Sequence, residues 1–328
     1  MATKTNLQAV RDTLMEIMDH YDNVVVMGED VGPRGGVFQA TKGLYERFGP
    51  DRVIDTPLAE LSIVGVGIGM ALNGYHPFCE IQFADFIYPA FNQIVNEAAR
   101  YRYRSNGAWP VPMVIRAPYG GGVSGGLYHS QSVEAFFTHV PGLYVLAPST
   151  PKDIVGLMRT AAQAPDPVLF FEHKRLYGLV KGEVPAEYYE IPFGEADVKR
   201  QGDDITVISY GMALHEAIKA ADKLSDQEGI EAEVIDLRTL KPLDLDTIYE
   251  SLRKTGKILI VHEDNLTGGW GAEIAARVAE DMFEWLDAPV MRFAGPDVPA
   301  VPYSPPFEKW FLPTADKIEK KMRELAEY

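Results

Sequence analysis

Short apolar runs without polar alternation punctuate the first half of the chain, at 24–27, 77–81, 111–115, 143–146 and 168–171. Between them lie segments of helical length near 61–73, 86–103, 132–138 and 151–163. Uninterrupted apolar runs predict strands buried on both faces, as in a parallel sheet, and their alternation with helices is a βαβ rhythm. The stretch 173–202 breaks the rhythm: it is mixed, charged and interrupted by Pro185 and Pro192. It reads as an interdomain connection. Strand candidates then resume at 205–210, 232–237, 257–261 and 289–293, with helices near 212–228, 244–254, 270–285 and 313–327. The pattern predicts two α/β domains.

At 328 residues, 46% hydrophobic and 24% charged, the chain has the length and balance of a two-domain soluble protein. Its net charge of −16 argues against nucleic-acid binding, which needs a basic footprint, and is compatible with a basic protein partner. The single cysteine, Cys79, excludes an intrachain disulfide and a cysteine-based metal site. The first residues carry no signal core, and no apolar run reaches the roughly 18 residues of a membrane helix. The expectation is a cytoplasmic protein with no membrane association.

Two residues carry candidate chemistry. Glu60 ends Asp55-Thr56-Pro57-Leu58-Ala59-Glu60 and opens the almost wholly apolar segment 61–72. A carboxylate at a helix start is favoured by the helix dipole. His129 follows Tyr119-Gly120-Gly121-Gly122-Val123-Ser124-Gly125-Gly126-Leu127-Tyr128 and precedes the helix expected at 132–138. A carboxylate at the mouth of an apolar helix and an imidazole behind a glycine-rich loop suit proton transfer. The loop itself is open to three readings: a phosphate cradle of backbone amides, a cavity-shaping mobile loop, or a plain surface loop. Gln82-Phe83-Ala84-Asp85-Phe86 stands at the end of a predicted parallel strand, where α/β proteins place ligands. Phe86 there is either a stacking platform for a flat ring or a core aromatic. Gly65, Gly67 and Gly69 share one predicted helix, each at a cost of about 1 kcal/mol relative to alanine. They imply close approach, either within the domain or by another subunit. Arg100, Arg102 and Arg104 suit a solvated helix end or a partner contact.

Taken in order, several stretches resemble the beta subunit of the thiamine diphosphate-dependent first component of 2-oxo acid dehydrogenase complexes. They are Gly28-Glu29-Asp30-Val31-Gly32, the segment 55–60, Glu80-Ile81-Gln82-Phe83-Ala84-Asp85, Arg102-Tyr103-Arg104-Ser105, His129-Ser130-Gln131-Ser132, Asp236-Leu237-Arg238-Thr239-Leu240 and Leu312-Pro313. The resemblance runs from about residue 5 to the C-terminus. It implies a pyrimidine-binding parallel-sheet domain over 1–185, a linker at 186–203 and a transketolase C-terminal-like α/β domain over 204–328. It also implies residue roles. Glu60 bonds the aminopyrimidine nitrogen of thiamine diphosphate, Phe86 stacks on the ring, and Leu58 and Gln82 line the cofactor site. His129 acts near the substrate and in acyl transfer to a lipoyl arm.

The diphosphate–Mg²⁺ motif of that family, Gly-Asp-Gly followed by paired asparagines, is absent from this sequence. In split members it belongs to an alpha subunit, so an α2β2 heterotetramer is implied, with Mg²⁺ held mainly by alpha. Further partners would be the lipoyl and subunit-binding domains of a dihydrolipoyl acyltransferase. A structural K⁺ is implied at the backbone carbonyls of Met113, Ala161, Ala162, Ala164 and Asp166. The stretches 83–85, 128–132, 134–137 and Leu266-Thr267-Gly268-Gly269 are more similar to branched-chain (3-methyl-2-oxobutanoate) members than to pyruvate members. Alternatives are a pyruvate or acetoin dehydrogenase beta subunit, a subunit serving mainly to dock the acyltransferase, or a self-sufficient transketolase-like enzyme.

Overall fold

The protein is described over all of residues 1–328 in a computed structural model. It divides into two compact units, one of residues 1–119 with 136–193, the other of residues 120–135 with 194–328.

The first unit is built on parallel strands β2 (Val24–Gly28), β3 (Val53–Asp55), β4 (His76–Glu80), β5 (Val114–Tyr119), β6 (Tyr144–Leu146) and β7 (Val168–His173), in the spatial order β6-β7-β5-β4-β2-β3. Every residue of β2, β4, β5 and β7 is buried, which explains why these strands read as mostly apolar stretches without polar alternation; the charged residues among them, Glu80, Arg116 and Glu172, pair with one another. A short antiparallel pair, β1 (Ala2–Thr5) with β8 (Lys181–Val184), lies outside that sheet. Helices α1 (Asn6–His20), α2 (Leu44–Phe48), α3 (Glu60–Leu72), α4 (Tyr101–Arg104), α5 (Glu134–Thr138), α6 (Pro151–Ala161) and α7 (Leu176–Leu179) complete the elements up to residue 193.

Helix α1 starts with a reciprocal cap: Gln8 N donates to Thr5 Oγ1 (3.1 Å) and Thr5 N to Gln8 Oε1 (2.9 Å). Its buried face, Ala9, Val10, Leu14, Ile17 and Met18, joins Val24, Val26, Phe78, Leu157 and Phe170 in one core cluster. The single helix expected over 86–103 is instead a succession of short pieces. There are 3₁₀ turns at Ala84–Phe86, Tyr88–Ala90 and Ala98–Arg100, and a π turn at Gln93–Glu97, before α4. Pro89, lacking an N–H, sits in this series.

The helical glycines of α3 divide by role. A Cβ at Gly67 would fall 2.6 Å from Cys79 Sγ and 3.1 Å from Met113 Cε, so Gly67 lets α3 press onto the sheet. A Cβ at Gly69 meets nothing, and neighbouring Val66 and Leu61 are about half exposed. That face of the helix is uncovered in the chain by itself.

The second unit holds a five-stranded sheet in the order β14-β13-β10-β11-β9. Its strands are β9 (Asp197–Arg200), β10 (Ile205–Ser209), β11 (Ala232–Asp236), β13 (Ile258–Asn265) and β14 (Met291–Gly295), with the short β12 (Thr239–Lys241) following β11. All pairings are parallel except β9 on β11. Thus the stretch expected as a linker, 186–203, contains a strand. Its charged sequence, Asp-Val-Lys-Arg, and half-buried position at the sheet edge hid it from an apolar-run reading. Helices α8 (Gly211–Glu228), α9 (Leu245–Thr255), α10 (Trp270–Asp281), α11 (Pro305–Phe311) and α12 (Ala315–Ala326) follow. Helices α8 and α9 each end on a glycine in the left-handed region, Gly229 (φ 70°) and Gly256 (φ 66°). The core joins Ile205, Val207, Leu214, Leu224, Leu259 and Met322.

Candidate active site

Four residues expected to serve one site follow the C-terminal ends of two strands of the first unit. Leu58 and Glu60 come after β3, and Gln82 and Phe86 after β4; β2 lies between these strands. The carboxyl edge of a parallel sheet is where this architecture opens a ligand crevice.

Glu60 is the first residue of α3. The preceding Ala59 offers no side-chain cap to the first-turn amides, so the Glu60 carboxylate stands at the positive end of an uncapped helix. Leu58 is 80% exposed, an apolar side chain held out in the segment leading to Glu60. Gln82 Nε2 donates to Asp30 Oδ2 (3.3 Å) and to the Glu29 carbonyl (3.4 Å), tying the end of β4 to the loop after β2. Phe86 is half-buried and meets Phe83 edge-on at 5.7 Å; Phe83 in turn meets Phe38 at 5.3 Å.

Glu29 was not assigned a role from sequence, although it stands in the quoted stretch 28–32. Directly after β2, it is buried, and its Oε1 has no hydrogen-bond partner. Burial first, and then the nearby Glu60 carboxylate, raise its pKa above the usual glutamate value; a hydrogen bond to the Ala59 backbone opposes them. Two carboxyl groups therefore share the space at the ends of β2 and β3. In the same sheet, Arg116 is fully buried with Glu80 and Glu172, and Tyr177 donates to Glu172 Oε2 at 2.5 Å. This network links β4, β5 and β7.

His129 belongs to the second unit. It closes the 3₁₀ turn Gly126–Tyr128 and precedes α5 by several residues, so it does not sit directly at that helix's N-terminus. The turn is stapled by Gln131, whose Nε2 donates to the Gly126 and Leu127 carbonyls at 3.3 and 3.2 Å. Leu127 and Tyr128 beside it are exposed. Several amides of the glycine-rich loop are already taken by the chain's own carboxylates. Gly121 N donates to Glu263 Oε2 (3.0 Å), and Gly122 N and Ser124 N donate to Glu308 Oε1 (2.8 and 3.0 Å).

Past the loop, Glu134 is fully buried and accepts from the Tyr210 hydroxyl at 2.8 Å. Desolvation, and then the Asp264 charge, push its pKa up to about 8. Asp264 is itself raised to about 6 by burial. This acidic cluster gave no signal in sequence, because its members lie more than a hundred residues apart.

Of the expected cation positions, Met113, Ala161, Ala162 and Ala164 are buried. The Met113 carbonyl accepts from Val168 N, and the Asp166 carboxylate pairs with Arg102 at 2.5 Å. No group of three or more His, Cys, Asp or Glu side chains is arranged to hold a metal ion.

The family described as "Transketolase, pyrimidine binding domain" matches residues 2–180, and "Transketolase, C-terminal domain" matches 194–318. Over its whole length the chain is 56% identical to the 2-oxoisovalerate dehydrogenase subunit beta of Bacillus subtilis, all of which is covered. The chain belongs to the 2-oxo acid dehydrogenase beta subunits. It is also 45% identical, over the full length of both chains, to the pyruvate dehydrogenase E1 component subunit beta of Bacillus subtilis. A solved structure titled "Split gene transketolase, inactive beta4 tetramer" superposes with a TM-score of 0.79, covering 99% of this chain and 98% of that one at 24% identity. That likeness speaks to the fold alone. As a beta subunit of this family the chain is an enzyme component with a transketolase-like two-domain fold, and the family implies thiamine diphosphate. No helix is long and apolar enough to cross a membrane.

Proposed function

We propose that this chain, with an alpha subunit, decarboxylates a branched-chain 2-oxo acid and passes the acyl group to the lipoyl arm of a dihydrolipoyl acyltransferase. The observation that carries the substrate class is the identity of 56% to a 2-oxoisovalerate dehydrogenase beta subunit against 45% to a pyruvate counterpart, both over full length. The second figure keeps pyruvate as the alternative substrate.

The edge formed after β2, β3 and β4 suits a flat, nitrogen-bearing ring. It offers a carboxylate at a helix start, a buried carboxyl oxygen without a partner, an exposed leucine and a half-buried aromatic. Thiamine diphosphate, when bound, would supply a nucleophilic ring carbon for the substrate carbonyl and a cationic ring to take up the electron pair released on decarboxylation. Glu60 holds a proton at the pyrimidine nitrogen, Phe86 packs against the ring, and Leu58 and Gln82 line its edges. His129 serves the substrate and the acyl-transfer step. Mg²⁺ and the diphosphate fall to the alpha subunit in an α2β2 assembly. K⁺ is assigned to the backbone carbonyls of Met113, Ala161, Ala162, Ala164 and Asp166. Several of these cluster at the C-terminus of α6, where the helix dipole favours a cation.

The test is decarboxylation of 2-oxoisovalerate and of pyruvate with an artificial electron acceptor, thiamine diphosphate and Mg²⁺. The chain alone is compared with the chain co-expressed with its alpha subunit. Activity confined to the pair, with 2-oxoisovalerate preferred, is expected. Activity of the chain alone would refute the shared site, and a preference for pyruvate would refute the branched-chain assignment.

A further inference from the structure

We infer that Glu308 is a positioning residue for His129, a built-in anion that fixes the glycine-rich loop in its working shape. The inference rests on the role given to His129 above. Glu308 lies in α11, is only 5% exposed, and directs its carboxylate into the loop. Oε1 accepts from Gly122 N (2.8 Å) and Ser124 N (3.0 Å), and Oε2 from Ser124 N (3.2 Å) and Ser124 Oγ (3.1 Å). Backbone amides that converge in this way form an anion nest, which here is filled by the chain's own side chain.

The loop conformation needs such a partner. Gly122 has φ 82° and Ser124 has φ 54°, left-handed backbone that a non-glycine residue such as serine holds only when its surroundings over-determine it. Residues on both sides of α11 complete the grip. A Cβ at Gly121 would come 3.0 Å from Leu312 Cδ2, and one at Gly126 3.0 Å from Tyr303 Cδ2, so the glycines let the loop lie close against these side chains. Val301 N donates to Gln131 Oε1 (3.3 Å), the residue that staples the turn before His129. The carboxylate, the strained residue, the stapled turn and the imidazole thus form one continuous piece of the second unit. Without the carboxylate, the amides of Gly122 and Ser124 and the Ser124 hydroxyl lose this acceptor.

The test compares Glu308→Gln, Glu308→Asp, His129→Ala and the double variant Glu308→Gln/His129→Ala, each assembled with the alpha subunit. Hydrogen exchange at Gly122 and Ser124 is followed in parallel. Glu308→Gln is expected to lower kcat by about 10–100-fold with little change in KM, the cost of a misplaced catalytic group. Exchange at Gly122 and Ser124 is expected to quicken while the amides of β10 stay protected. Glu308→Asp should recover part of the rate, and the double variant should be no slower than His129→Ala. Wild-type kcat in Glu308→Gln, or a double variant slowed by the product of the two single effects, overturns the inference. Wild-type turnover in His129→Ala removes the role of His129 and this inference with it, a pattern distinct from failure of Glu308 alone. If Glu308→Gln does not fold, Glu308→Asp and Ser124→Ala carry the test. Both should slow kcat by a smaller factor in the same direction, and unchanged kcat in both overturns the inference.

Discussion

Arg116 and Glu172 form a two-pronged ion pair in the interior of the first unit, Nε to Oε1 at 2.6 Å and a terminal nitrogen to Oε2 at 2.8 Å. Glu80 Oε2 takes a further guanidinium nitrogen at 2.8 Å. Burial disfavours the charge on Glu80, and the guanidinium opposes this. Arg116→Ala would strand two buried carboxyl groups, and breaking a buried pair from one side costs about 3–5 kcal/mol. The expected outcome is a loss of that order in chemical denaturation. A loss below about 1 kcal/mol, the range of an exposed pair, would show that water reaches the network.

Glu134 gives a stability prediction with a defined sign. Its carboxyl is pushed up to about 8 in the folded chain, against an ordinary value of 4.5. The unfolded chain therefore ionises first. The contribution of this group to stability is complete below about 4.5 and is lost as pH rises through about 8. Glu134→Gln keeps an oxygen to accept from Tyr210 and cannot ionise. Its stability relative to the parent should rise across that window and level off above it. Denaturation midpoints measured at pH 5, 7 and 9 check this, and a difference independent of pH would count against a buried, neutral Glu134.

The two sides of α3 separate in a third prediction. Gly67→Ala forces a methyl group against Cys79 and Met113 and should cost about 1–3 kcal/mol, as over-packing does. Gly69→Ala meets nothing within 4 Å and should gain up to about 1 kcal/mol in the isolated chain from helix propensity. Thermal unfolding of the isolated beta chain distinguishes them. Equal effects from both would mean that α3 does not pack on β4 through Gly67.

The difference between Gly67 and Gly69 also shows how far sequence reasoning reaches. Three glycines in one helix announce close approach, but the partner of Gly67 is Cys79, a strand away, and only coordinates name it. The buried parallel strands were legible because burial on both faces removes polar alternation. Helix α1 was overlooked although Thr5 and Gln8 spell its capping box, since its polar first turn carries no apolar run. The positions of Gln82 and Phe86 after a strand end followed from the βαβ rhythm, whereas β3, the three-residue strand before Leu58 and Glu60, is too short to stand out as an apolar run. Glu308 was out of reach: it lies 184 residues from Ser124, and its partners are backbone amides, which leave no trace in side-chain identity.

The carboxyl pair at the end of β2 and β3 yields the last prediction, which has two independent readouts. Glu60 is the residue assigned to proton transfer, so Glu60→Ala or Glu60→Gln in the assembled enzyme should reduce turnover by about 10²–10⁴. Undiminished turnover would remove that role. The second readout needs no activity. Glu60 is one of the charges that raise the pKa of buried Glu29, second only to burial itself. Glu60→Gln abolishes that charge, so Glu29 should ionise more readily and its pKa should fall. Carboxyl-carbon NMR of the isotopically labelled chain, titrated with and without the substitution, follows this group directly. A Glu29 titration that does not move would place the two carboxyl groups too far apart to sense each other. A fall in pKa accompanied by normal turnover would keep the geometry and reject the chemistry.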